Sequence, residues 1–236
     1  MKSNITEIIY LLDRSGSMGT MQEPAIAAFN DFLRNQREIP GGVHLTLIQF
    51  WSDRETSILA RPLQEIEPLT PDGYVPLGNT ALLDAIADTI TDVDARLKLL
   101  PESEVPGKVI FAIFTDGLEN ASTRHTPNHV SDLIRLYRSC KGWEFIFLAA
   151  NQDAITSACA LQMNRTLSGN VAFSDNGISS SSRALHRKIR SMRLKHHGLM
   201  DEQAEADELK PMEAILREED ERGGGPLTGV APRDLS

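Results

Sequence analysis

Three short segments carry the residue types and spacing that point to chemistry. Asp13-Arg14-Ser15-Gly16-Ser17 places a carboxylate and two hydroxyls at alternate positions. Gly78-Asn79-Thr80 adds a third hydroxyl, and Thr115-Asp116-Gly117 a second carboxylate. The set Asp13, Ser15, Ser17, Thr80 and Asp116 is hard and all-oxygen, which suits Mg²⁺, with Mn²⁺ or Ca²⁺ as alternatives, and does not suit zinc. A loop leaving a strand can aim its first, third and fifth residues at one point, and Gly16 supplies the backbone freedom for a tight approach. Mg²⁺ takes about six oxygens, so five side chains leave room for water or an outside oxygen. An exposed cation with such a vacancy attracts a carboxylate.

Gly16, Asn79 and Glu119 flank this set and are candidates for supporting it from behind. Glu119 and Asn120 follow Asp116 closely and read either as an outer shell or as an ordinary turn, of which the turn is the favoured reading. Arg14 sits inside the first segment, where its charge competes with a cation unless it points away. Each residue alone has a plainer reading, since Ser, Thr and Asp after a strand often cap the next helix. Convergence of all five is what distinguishes a site.

The elements that must position these residues are legible as periodicity. Apolar runs at 5–12, 43–50, 58–63, 109–115 and 144–150 read as strands, with a short edge strand at 166–173. Helical spacing marks a helix opened by Pro24, then 80–100, 130–140, a short one at 153–161, and 178–194. Nearly continuous apolar strands alternating with helices predict a three-layer α/β/α sandwich around a Rossmann-like, mostly parallel, doubly wound sheet. The two strands between 43 and 63 break the alternation, and one antiparallel edge strand accounts for them. In such a sheet ligands bind beyond the carboxyl ends of the strands, where all three segments fall.

The chain has 236 residues, 41% hydrophobic and 24% charged, as expected of one soluble core with an appendage. We expect a domain over residues 1–195 and an acidic, partly disordered extension over 196–236, with 201–221 as an isolated acidic helix. The net charge of -9 belongs largely to that extension. The run Ile8-Ile9-Tyr10-Leu11-Leu12 stops at Asp13, short of the ~7–15 apolar residues of a signal-peptide core. No stretch approaches the ~20 apolar residues of a membrane span. Cys140 and Cys159 suggest neither a zinc site nor a disulfide framework, so a cytoplasmic location is the expectation. Trp51 and Trp143 read as packing, His196-His197 as solvated, and Asp153 as a helix cap.

Taken together, Asp13-x-Ser15-x-Ser17, Thr80 and Asp116 resemble the metal-ion-dependent adhesion site of von Willebrand factor A domains, and the resemblance covers about residues 5–175. It implies the Rossmann-like fold, direct ligation by Ser15, Ser17 and Thr80, and action of Asp13 and Asp116 through bound waters. It implies a protein partner whose Asp or Glu completes the ion's coordination, and protein binding without catalysis. The chain is similar to intracellular, bacterial-type stand-alone members. By analogy these work beside an ATPase or a stress-response complex.

Two rivals have specific signatures. A Mg²⁺-dependent phosphohydrolase with Asp13 as nucleophile needs an acid two residues on, and that position is Ser15. The Gly-Lys-Ser/Thr ending of a phosphate loop is missing too. Nucleic-acid binding would use the basic run Arg183, Arg187, Lys188, Arg190, Arg193 and Lys195. There Arg183, Arg187 and Arg190 recur at helical spacing and are candidates for an anionic partner. Pairing of that helix with the acidic extension is the favoured reading, either structural or by the extension masking the cation site.

Overall fold

The computed structural model describes residues 3–116, 119–150, 156 and 160–223. Its strands are β1 (Ser3–Asp13), β2 (Gly42–Phe50), β3 (Arg54–Pro62), β4 (Pro106–Thr115), β5 (Glu144–Ala149) and β6 (Ser168–Asn170). Among the described residues the α-helices are α1 (Gln22–Arg37), α2 (Leu82–Lys98), α3 (Pro127–Lys141), α4 (Asp175–His197), α5 (Glu202–Leu209) and α6 (Met212–Arg222). The sheet runs β3-β2-β1-β4-β5-β6. Every pairing is parallel except β2 with β3, so the expected antiparallel edge strand is present. The strand order reverses between β1 and β4, and their carboxyl ends carry Asp13 and Thr115-Asp116.

The stretch Ile8–Leu12 of β1 shows why its sequence is apolar. Side chains alternate across a strand. Ile8, Tyr10 and Leu12 face a core shared with Phe29 and Phe32 of α1 and Ile178 and Ile189 of α4. Ile9 and Leu11 face a second core with Ile86 and Ile90 of α2 and Val130 and Ile134 of α3. Covered on both faces, a central strand has no solvent side on which a polar residue would be favoured. Trp143 joins the second core, stacked on Tyr137 and Phe111 at centroid distances of 4.5 and 5.3 Å. Among the described residues no helix is long and apolar enough to cross a membrane.

Three expectations need correction. The edge strand expected at 166–173 is only Ser168–Asn170. His196 and His197 are half-buried rather than solvated, and His197 Nδ1 lies 2.9 Å from Asn4 Oδ1. The acidic segment after residue 200 is not an isolated helix, because α5 and α6 dock on the domain. Met212, Ile215 and Leu216 of α6 are buried in the same core as α1 and α4. Their spacing of three and one puts them on one helix face, and each such side chain contributes about 1.5–3 kcal/mol when fully buried. Packing therefore continues well past residue 195. The helix expected at 153–161, with Cys159, Asn151 and Asp153, lies largely outside the described residues. Cys140 is exposed near the end of α3.

Charge pairing completes the docking. Arg187 meets Asp207 at 3.0 Å and Glu219 at 2.9 Å, and Arg183 meets Glu219 at 3.0 Å. Arg190 pairs with Asp201, and Lys195 with Glu208. The Lys188 ammonium donates to the carbonyls of Asp207, Glu208 and Lys210 at 2.7–2.8 Å, which uses all three of its protons. The basic face of α4 is thus occupied by the acidic helices that follow it.

Candidate metal centre

Asp13 is the last residue of β1 and is fully buried. Its Oδ1 accepts the Ser15 N–H at 2.7 Å and its Oδ2 the Thr115 hydroxyl at 2.5 Å. Burial pushes its carboxyl up to about 6, against the lowering by those hydrogen bonds. Beyond it the chain tightens into a 3-10 turn over Gly16–Met21 before α1. In this turn the Ser15 and Ser17 hydroxyl oxygens lie 3.0 Å apart, and the Ser17 hydroxyl donates to Asp116 Oδ1 at 3.1 Å. Burial also raises the Asp116 carboxyl, while the Ser17 hydroxyl opposes the shift.

The segment around Thr80 is tied to both others. Gly16 N–H donates to the Gly78 carbonyl at 3.0 Å and Leu77 N–H to the Arg14 carbonyl at 2.8 Å. A Cβ at Gly16 would stand 3.1 Å from the Gly78 oxygen, and Gly78 itself has φ +66°, so glycine fits both positions for a steric reason. Thr80 is buried, and its N–H donates to Asn120 Oδ1 at 2.9 Å. Asn120 N–H returns a bond of 3.1 Å to the Thr80 carbonyl. The three oxygen-bearing loops therefore form one hydrogen-bonded body.

Arg14, the cation inside this loop, is turned away. Its guanidinium lies 3.8 Å over the Trp51 ring and 3.3 Å from Glu55 Oε2. Trp51 thus does more than pack. The neighbourhood of Asp13 and Asp116 is consequently a buried carboxylate, a half-buried one and neutral hydroxyls, and burial raises the pKa of both acids. This donor set fits a hard divalent cation, whose charge would offset the desolvation that both carboxylates suffer. No cluster of three or more His, Cys, Asp or Glu occurs among the described residues.

Of the supporting candidates, Gly16 holds the close approach just described. Asn79 is exposed, and its N–H donates to Ser52 Oγ at 2.8 Å. Glu119 does not face the cluster: its Oε2 accepts the Leu83 N–H at 2.8 Å, capping the start of α2, and its Oε1 accepts the Ala121 and Ser122 N–H groups. Gly117 lies outside the described residues. The basic candidates Arg183, Arg187 and Arg190 belong to the α4 pairings and not to this edge.

Sequence reasoning missed Thr115 and Tyr74 as contributors and favoured a mere turn for Asn120. Thr115 fixes Asp13, Asn120 fixes Thr80, and the buried Tyr74 donates its hydroxyl to the Asp13 carbonyl. Thr115 flanks Asp116 closely enough to have been suspected. Tyr74 sits in a Pro/Gly-rich loop without periodicity and gave no signal.

No protein-family model and no curated protein matches the chain. Solved structures do. The chain is similar to proximal thread matrix protein 1 from the mussel byssus with a zinc-occupied MIDAS motif, at 16% identity over 82% of this chain and 46% of that one, TM-score 0.55. It is similar to the pilus adhesin SpaC from Lactobacillus rhamnosus GG in its open conformation, at 14% identity over 81% of this chain and 30% of that one, TM-score 0.61. A von Willebrand factor type A structure from Catenulispora acidiphila aligns at 15% identity over 80% of this chain and 43% of that one, TM-score 0.51. The chain spans less than half the length of each of these proteins. At such identities the likeness is one of architecture, and with the strand order and the edge strand described above it shows that this chain has the von Willebrand factor A fold.

Proposed function

We propose that this chain is a divalent-cation-dependent protein-binding module. Ser15, Ser17 and Thr80 ligate Mg²⁺ directly, Asp13 and Asp116 hold it through water, and an Asp or Glu of the partner completes its coordination. The observation that carries this reading is the run of oxygens from Ser15 through Ser17 to Asp116, spaced 3.0 and 3.1 Å, above the buried carboxylate of Asp13. Bound there, the ion supplies an electrophilic point for a carboxylate oxygen. The chain's own contribution is orientation: Thr115 and Tyr74 hold Asp13, Asn120 holds Thr80, and Trp51 with Glu55 keeps Arg14 aside.

Similarity to a pilus adhesin and to a mussel protein with a metal-occupied MIDAS motif supports binding rather than turnover. A phosphohydrolase reading gains nothing from the site, where Ser15 stands in place of the general acid. Nucleic-acid binding through α4 is disfavoured by the pairing of Arg183, Arg187 and Arg190 with Glu219, Asp207 and Asp201.

The test is titration calorimetry with Mg²⁺, repeated with Mn²⁺, Ca²⁺ and Zn²⁺, on the wild type and Ser15→Ala/Ser17→Ala, followed by capture of partners with Mg²⁺ or with chelator. Saturable uptake by the wild type alone, with chelator-sensitive capture, supports the reading. Absence of uptake of any of the four ions, or equal uptake by the double variant, sinks it.

A further inference from the structure

Thr80 lies in the loop before α2, outside any regular element. Ala81, which precedes α2, is non-helical (φ -96°, ψ 62°) and makes no side-chain cap, so the helix dictates little about the residue before it. The order comes from across the chain. Asn120 takes the Thr80 N–H on its Oδ1 at 2.9 Å and gives its own N–H to the Thr80 carbonyl at 3.1 Å, joined there by Ala121 N–H at 3.2 Å. With the N–H and C=O of residue 80 both engaged, its backbone angles are set, and with them the direction of its Cα–Cβ bond and the rotamers open to it.

The loop that delivers Asn120 also carries Asp116, and α2 anchors it firmly. Glu119 accepts from Leu83, and Ser122 Oγ accepts the Asp84 N–H at 3.0 Å. The buried Asp84 carboxylate accepts the N–H groups of Thr123, Arg124 and His125 at 2.9–3.3 Å. Glu119 and Asp84 thereby tie the segment 119–125, which carries Asn120, to the first turn of α2.

We infer that Asn120 is a positioning residue for the cation: it acts through Thr80, by fixing that hydroxyl relative to Asp116, and not as a ligand. The inference rests on the proposed cation site. An amide suits the task because its oxygen accepts the Thr80 N–H without adding a third carboxylate to the site. Groups that orient metal ligands change affinity by roughly 10–100-fold when removed.

The experiment measures Mg²⁺ and Mn²⁺ affinity by calorimetry, and the metal-free urea midpoint, for the wild type, Asn120→Ala, Asn120→Asp and Ser122→Ala. Ser122→Ala loosens the same loop without touching Thr80. We expect Asn120→Ala to lose about 10–100-fold in affinity. Asn120→Asp keeps the acceptor and should recover most of that loss, while Ser122→Ala should lower the urea midpoint with affinity retained. If Asn120→Ala does not fold, Asn120→Gln, with its amide displaced by one methylene, must show the loss. Unchanged affinity in Asn120→Ala overturns the inference, as does a loss in Ser122→Ala that matches it at equal metal-free stability. Failure of the wild type to take up either ion overturns instead the cation-site reading beneath it.

Discussion

The phenol of Tyr74 donates a 2.5 Å hydrogen bond to the backbone carbonyl of Asp13, joining the loop before Thr80 to the end of the central strand. Tyr74 is fully buried, and burial holds its hydroxyl well above the ordinary tyrosine range, so it stays a donor. Tyr74→Phe deletes the donor and strands a buried acceptor, a change that costs about 1–3 kcal/mol. We expect a lower urea midpoint of that size and weaker Mg²⁺ uptake. An unaltered midpoint would show that water replaces the phenol.

The buried pairing of α4 with the acidic helices makes a second prediction. Arg187 and Asp207 have side chains only 11% and 1% exposed. Removing one partner of such a pair leaves a buried charge behind, at a cost of about 3–5 kcal/mol, whereas replacing both with apolar residues is far milder. Arg187→Met, which strands the Asp207 carboxylate, should therefore be much less stable than Arg187→Met/Asp207→Leu, as judged by chemical unfolding, since Glu219 keeps Arg183 in both. A single variant as stable as the double one contradicts this.

The docked helices also change what truncation should do. The masking idea holds that the extension offers an acid to the cation site, so that cutting after Lys195 strengthens partner binding. In the structure Asp201, Asp207, Glu208, Glu218 and Glu219 are instead engaged by α4 and Lys210. Truncation also removes the buried Met212, Ile215 and Leu216. We expect the shortened chain to be destabilised or insoluble. Ile215→Ala alone should cost about 2–5 kcal/mol. A shortened chain with full stability and tighter partner capture would restore the masking idea.

A pH dependence follows from His186 on α4. Burial, with Arg190 and Arg193 nearby, lowers its pKa from 6.5 to about 4, and Gln36 Nε2 lies 3.2 Å from its Nδ1, a contact that suits a neutral ring. Between those values the unfolded chain binds a proton that the folded chain does not. Stability is therefore complete above pH 6.5 and falls as pH drops toward 4. His186→Asn should flatten the urea midpoint over this window relative to the wild type. Parallel curves for the two proteins would show that the histidine titrates freely.

The fold was readable wherever burial is two-sided. The apolar runs of β1, β4 and β5 and the helical stripes of α1 and α2 announce themselves. The apolar pattern marks β3 only over 58–63, because Arg54-Glu55-Thr56 open it with polar side chains on an exposed edge, where no apolar run is required. The docking of α6 was missed because three apolar residues stand in a strongly acidic stretch, although Met212, Ile215 and Leu216 share a helix face. At the site, the grouping of Asp13, Ser15 and Ser17 is legible because one loop imposes their spacing. The bonds made by Tyr74, Asn120 and Asp84 are not, since each runs from a side chain to the backbone of a segment about 40 or more residues away, and no local pattern records such a bond.

Arg14 supplies the last prediction. It stands between two residues of the cluster, yet its guanidinium is held on the Trp51 ring and near Glu55, which keeps its charge off the oxygens. Trp51→Ala/Glu55→Ala frees the side chain to swing toward Asp13 and Asp116. There a positive charge competes with the ion, an effect on the order of 1 kcal/mol at partly solvated distances, or about a fivefold loss in Mg²⁺ affinity. Adding Arg14→Gln to that double variant removes the competing charge and should return the affinity, although neither the ring nor the carboxylate is restored. Calorimetry on the three proteins separates the alternatives: if the triple variant binds as weakly as the double, Trp51 and Glu55 serve the loop's shape and the charge of Arg14 is irrelevant to the ion.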